Sequence, residues 1–207
     1  MRIIISFIAL FASISLLQLS SGAIGPLDVL SGVAEGFTST QIGMLGSAHF
    51  LGFFIGCWWA PRLMGTVGHS RAFSAFAATG AIGAIAHPML IDPIAWALMR
   101  ILTGLCVAGC YTVIEAWMQA RLTNSNRGRI MASYRTIDIV VSASAQLMIG
   151  ALEPASYMSY NLLAILCCAC MLPIVLTKMK PPETPVSPRL RPINTIKISP
   201  LGASGVY

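Results

Sequence analysis

Six mostly apolar stretches, each about twenty residues long, dominate this chain: 3–24, 40–60, 72–91, 94–117, 134–152 and 157–177. An α-helix rises about 1.5 Å per residue, so each can cross roughly 30 Å of hydrocarbon. Only 10% of the residues are charged and the mean hydropathy is +0.77, whereas a soluble domain is about 25% charged. So few charges cannot cover a water-facing globule. The expected fold is therefore all-α and membrane-embedded, with six transmembrane helices. The first and fifth stretches carry the most polar residues.

Turn-forming residues separate the stretches: Gly25–Pro26, Pro61–Arg62, Asp92–Pro93, Asn124–Ser125–Asn126 and Glu153–Pro154. Six crossings put alternate connectors on opposite sides. One side takes Arg2, Arg62, Arg71, Arg121, Arg127, Arg129, Arg135, Lys178, Lys180, Arg189, Arg191 and Lys197, which is every Lys and Arg except Arg100. The opposite connectors carry Asp28, Glu35, Asp92 and Glu153. The bias of basic residues toward the inner face places both termini in the cytoplasm of a cell (inner) membrane. The net charge of +6 is thereby explained without nucleic acid, since the basic residues lie between apolar runs and form no single patch.

The first stretch also has the outline of a signal peptide, with Arg2, an apolar run and then Ser20–Ser21–Gly22–Ala23. Its run resumes after Leu19, which is long for that role. Domain limits are expected at 1–177 for the six-helix domain, 178–200 for a basic, proline-rich cytoplasmic linker, and 201–207 for the start of a seventh helix. The six cysteines (Cys57, Cys106, Cys110, Cys167, Cys168, Cys170) all lie in apolar runs, without the spacing of a metal or disulfide framework, and read as small apolar helix residues. No cofactor or metal is expected. Small residues that let membrane helices approach recur as Gly52-x-x-x-Gly56, as Gly104-x-x-x-Ala108 and throughout the third stretch.

Ionisable side chains inside hydrocarbon need a partner or water. His49, Arg100, Glu115 and Asp138 are such residues. At 100° per residue Thr103, Gly104, Val107, Tyr111 and Glu115 share the face of Arg100, forming one polar stripe. Arg100 and Glu115 are about 22 Å apart along the axis, so each needs a partner on another helix. Arg135, Asp138, Ser142 and Gln146 form a second stripe, in which Arg135 and Asp138 could pair at i, i+3. The first helix offers Gln18 and the sixth Asn161. His49 reads as a hydrogen-bonded structural histidine.

Three segments resemble the N-terminal half of a major facilitator superfamily (MFS) transporter. They are Arg100-Ile-Leu-Thr-Gly104 with Ala108–Gly109, the loop Pro61–Arg62 through Gly68-His-Ser-Arg71, and Gly109-Cys-Tyr-Thr-Val-Ile-Glu115-Ala-Trp117 followed by Arg127-Gly-Arg129 and Tyr134. The run Gln41-Ile-Gly43 with Gly46-Ser-Ala-His-Phe-Leu-Gly52 fits the same resemblance. Two departures are clear. Ala60–Pro61 stands where the family's loop carries an acid, and the fifth stretch lacks the Gly-Pro pair of drug antiporters. The resemblance implies half of a fold built from a 3+3 inverted repeat, with substrate bound between two halves.

The leading expectation is a secondary active transporter of a small solute, coupled to an ion and present as its N-terminal half. It would work with a C-terminal half or a second copy. Substrate-path candidates are Arg100, Gln18, Tyr111, Gln146 and Asn161. Charge-pair or gating candidates are Glu115, Asp138, Arg135, Arg62 and Arg71. A non-transporting or truncated membrane protein, acting in assembly or regulation, is the alternative. An enzyme is disfavoured: Gly202-Ala-Ser-Gly205 has the shape of a protease motif but no histidine follows it.

Overall fold

The computed structural model describes residues 7–177 and Pro182. Arg2 and the start of the first stretch, the linker 178–200 with its basic residues, and the segment 201–207 lie outside the described residues. The described elements are α1 (Ile8–Ala34), α2 (Ser39–Val67), α3 (His69–Ala86), a 3₁₀ turn (His87–Met89), α4 (Pro93–Gln119), α5 (Arg127–Ile149), α6 (Tyr157–Ala169) and α7 (Met171–Leu176).

Among the described residues, five helical runs are long and apolar enough to span a membrane: α1, α2, α3 with its 3₁₀ turn, α4, and α6 continued by α7. α5, expected as a crossing, is not among these five. Its 23 residues suffice in length, but Arg127, Arg129, Arg135, Asp138 and Gln146 lower its apolar character. Large apolar side chains stay exposed on α2 (Phe50, Phe54, Trp58), α5 (Ile139, Leu147) and α6 (Ile165). A lipid surround accommodates such faces, which water would not.

Two prolines that read as turns sit inside helices. Pro26 lies within α1 and Pro61 within α2. Proline removes one backbone donor and so frees the carbonyl four residues earlier. For Pro26 that carbonyl is Gly22 O, and Gln146 Nε2 of α5 donates to it at 3.0 Å. With this replacement α1 continues ten residues past the expected end, carrying Asp28 into the bundle. The connector between α2 and α3 shrinks to Gly68, at φ 85°, a conformation that glycine adopts without a Cβ penalty. The segment Ser20–Ala23 is helical, with Ser20 and Ala23 buried. Helix starts follow the local chemistry: Thr38 and Gln41 form a capping box, and Asp92 accepts from the Ile94 and Ala95 amides ahead of Pro93.

The main packing pairs are α2 with α4, α3 with α4, α1 with α5, α3 with α6 and α1 with α6, with smaller contact between α1 and α4. Renaming each helix by the one three places along maps α2–α4 onto α5–α1, α3–α4 onto α6–α1, and leaves α3–α6 and α1–α4 unchanged. Helices three apart run in opposite senses in an alternating bundle. The packing is that of a 3+3 inverted repeat, half of an MFS-type fold.

The α2–α4 seam is the closest in the bundle, because the two small-residue motifs face each other. A Cβ on Gly52 would lie 2.0 Å from Ile101 O, and one on Gly104 would lie 2.1 Å from His49 O.

Candidate functional site

Arg100 is buried on α4, and α1 supplies its partner. Arg100 Nε lies 3.5 Å from Asp28 Oδ2. Three further side chains enclose this pair. Tyr160 of α6 donates its hydroxyl to Asp28 Oδ1 at 2.8 Å. His87, in the 3₁₀ turn, places Nε2 3.4 Å from Asp28 Oδ2. The His87 ring stacks on Tyr160 with centroids 5.3 Å apart, and Trp96 meets both rings edge-on.

The tautomer of His87 follows from its other nitrogen. Nδ1 is 2.6 Å from Gly83 O, so it must carry the proton. Nε2 therefore faces the carboxylate as a lone pair, or as a second N–H when the ring is charged. Arg100 Nε and Nη1, Asp28 Oδ2 and His87 Nε2 are all buried without a hydrogen-bond partner. Charge attraction holds the cluster while several hydrogen-bonding positions stay open. A cleft of about 330 Å³ borders it, lined by Gly25, Asp28, Val29, Ile42, Gly43, Leu45, Gly46 and Arg100. Gly25 borders the guanidinium closely: a Cβ there would lie in ordinary contact, 3.5 Å from Arg100 Nη2.

A second polar layer lies about 15 Å along the same two helices. Tyr111 of α4 faces Asp138 of α5, its hydroxyl 2.7 Å from Oδ1. The end of the Gln18 amide of α1 lies 2.5 Å from the same hydroxyl. One phenol proton cannot serve two acceptors. The carboxylate takes it, and the Gln18 amide must turn its NH₂ toward Tyr111. Next along α4, Glu115 accepts from the Tyr134 hydroxyl at 3.1 Å and pairs with Arg135 at 3.7 Å. A cleft of about 410 Å³ joins Gln18, Phe53, Cys57, Tyr111, Glu115, Arg135 and Asp138.

Most of the expected polar residues thus gather on the α1–α4–α5 side. Arg135 pairs with Glu115 in place of the local Asp138. Gln146 is occupied with Gly22 O, at an exposed position. Asn161 lies apart, in grooves it shares with Ile165. Arg62 donates to Trp58 O and stacks over that ring at 3.9 Å. Arg71 is exposed near the start of α3. The buried Nδ1 of His49 has no hydrogen-bond partner. Asp28, His87 and Tyr160 were not singled out. The cost of burying Arg100 calls for a carboxylate, and Asp28 lies in the neighbouring stretch of sequence, but the Gly25–Pro26 turn signal hid it.

No family model matches the chain. An uncharacterized MFS-type transporter of Enterobacter sp. strain 638 is 27% identical over 150 residues, covering 72% of this chain and 39% of that protein. The uncharacterized MFS-type transporter YcaD of Escherichia fergusonii is 25% identical over 175 residues, or 84% of this chain and 46% of that protein. YcaD of Salmonella arizonae is 24% identical over 141 residues, or 68% and 37%. The chain is similar to MFS-type transporters over most of its length. The matched regions cover less than half of these curated relatives, and the chain is about half their length, in keeping with a six-helix half. That similarity and the five long apolar helices support a multi-pass membrane protein, and the Arg100 cluster is a buried charged centre of its bundle.

Proposed function

We propose that the chain is one half of a secondary active transporter, and that Arg100 binds an anionic group of a small solute. The observation that carries this reading is the buried guanidinium with two nitrogens lacking acceptors beside an open cleft. A carboxylate or phosphate offers the paired acceptors that these N–H groups need. Asp28 is the resting counter-ion. When an incoming anion takes Arg100, Asp28 loses its compensation. His87 Nε2 faces the same carboxylate at 3.4 Å, with Nδ1 already committed to Gly83 O. A cation entering with the anion would restore the balance, in keeping with ion-coupled transport.

Gln18, Tyr111 and Asp138 form the second polar stop along the path, and Glu115 with Arg135 closes its end. Arg62 and Arg71 flank the short α2–α3 connector on the basic side, which this reading places in the cytoplasm of the inner membrane. A second six-helix half, or a second copy, completes the path. The test is a thermal-stability screen of the purified protein against acetate, succinate and inorganic phosphate. Stabilisation by one of them, absent from Arg100→Gln, is expected. Equal stabilisation of both proteins, or of neither by any small anion, removes the reading. In the full-length context, unchanged solute uptake by Arg100→Ala would do the same.

A further inference from the structure

Two cysteines from different helices meet where α1, α3, α4 and α6 converge. Cys106 Sγ of α4 and Cys167 Sγ of α6 lie 4.0 Å apart, and both residues are buried. A void of about 10 Å³ borders both, with Ser20, Gly80 and Thr103 in its wall. That is room for about one water-sized occupant. Gly80 makes the space: a Cβ there would lie 2.3 Å from Cys106 Sγ and 3.2 Å from Cys167 Sγ. The hydroxyl protons of Ser20 and Thr103 are committed to Leu163 O and Arg100 O, at 2.7 and 3.0 Å. The two thiols are the soft donors at this void.

We propose that Cys106 and Cys167 form a two-coordinate site for a soft monovalent metal ion, Cu(I) or its analogue Ag(I). Sulfur donors select Cu(I) among the available metals. Among the described residues no three His, Cys, Asp or Glu side chains gather to hold an ion, so a tetrahedral zinc site is not on offer. A monovalent d¹⁰ ion accepts two ligands in a line. Metal–sulfur bonds of about 2.3 Å need the sulfurs about 4.6 Å apart, so the pair must open by about 0.6 Å beside the void.

The charge also balances. The ion displaces one thiol proton to water and binds the resulting thiolate, while the second thiol binds through a sulfur lone pair. One positive ion and one thiolate leave a neutral complex, which a low-dielectric interior tolerates far better than a net charge. No electron transfer is involved. The bound ion would tie α4 to α6 six residues from Arg100, about 9 Å along the helix. This inference does not depend on the transport reading.

The experiment starts from a chain in which the exposed Cys57 and Cys168 are replaced by serine, purified in detergent and reduced. Ag(I) is titrated against a weak thioether competitor, and the metal retained per chain is measured. One equivalent is expected, falling at least about tenfold in Cys106→Ser and in Cys167→Ser but not in Cys110→Ser. No retention by the starting chain, or equal retention by all the variants, overturns the proposal. A second measurement avoids substitution at the site. X-ray absorption of the Cu(I)-loaded chain should show two sulfur neighbours. Oxygen or nitrogen neighbours, or three to four sulfurs, would overturn it, as would a Cys106–Cys167 disulfide formed in place of metal binding.

Discussion

Gln146 of α5 supplies the hydrogen bond that Pro26 of α1 cannot make, by donating to the Gly22 carbonyl at 3.0 Å. This is a cross-helix repair of a helix-interior proline, and it can be separated by a double-mutant cycle. Gln146→Leu should destabilise the protein by about 1 kcal/mol. In a Pro26→Ala background, where the helix restores its own bond, the same change should cost much less. Thermal unfolding in detergent reads both, and equal losses in the two backgrounds would refute the link.

The Asp28–Arg100 pair makes a second prediction. Removing one partner strands the other charge in the bundle, at a cost of about 3–5 kcal/mol. Asp28→Asn and Arg100→Gln should each lower the unfolding temperature markedly. The combined variant should recover most of the loss, because a neutral pair leaves no stranded charge. A double variant as unstable as the sum of the singles would show that the two residues act separately.

Glycine position on α2 sets a contrast within one helix. Gly52→Ala drives a Cβ to 2.0 Å from Ile101 O, so about 1–3 kcal/mol or more should be lost. Gly43 has nothing within 4 Å of a built Cβ. Gly43→Ala should therefore be neutral, or stabilising by up to about 1 kcal/mol through helix propensity. Far-ultraviolet circular dichroism melts distinguish these outcomes.

Tyr111→Phe removes the one proton that Asp138 receives from α4, and the contact with Gln18. A hydrogen bond to a charged group is worth about 1.5–3 kcal/mol. The loss should be rescued in part by Asp138→Asn, which no longer needs the donor. Stability indifferent to Tyr111→Phe would mean that Asp138 is satisfied elsewhere.

The all-helical bundle, and the need of Arg100 for a partner on another helix, were readable from residue chemistry alone. Long apolar runs and the one-sided basic residues leave few arrangements, and Arg100 has to find a carboxylate. The partner was hidden by local signals that tertiary contacts override. Gly25–Pro26 has the composition of a turn, yet α1 runs through it because α5 lends a donor. His87 lies inside the third apolar stretch, where it gave no signal of a site, and the 3₁₀ turn there brings its ring to Asp28. On the sixth helix Asn161 has the more conspicuous chemistry, but Tyr160 reaches Asp28. One residue is about 100° of rotation, and that angle cannot be fixed until the bundle is assembled.

The α2–α4 seam has a consequence for how the chain is made. Gly52 leaves the ribosome 52 residues before Gly104, a delay of about 3–10 s at ordinary rates of synthesis. Through that interval the bare strip of α2 faces lipid or the insertion machinery. Any other small-residue helix nearby could dock there first. Substitutions that slow the arrival of α4 should therefore lower the yield of correctly assembled protein without altering the stability of the molecules that succeed.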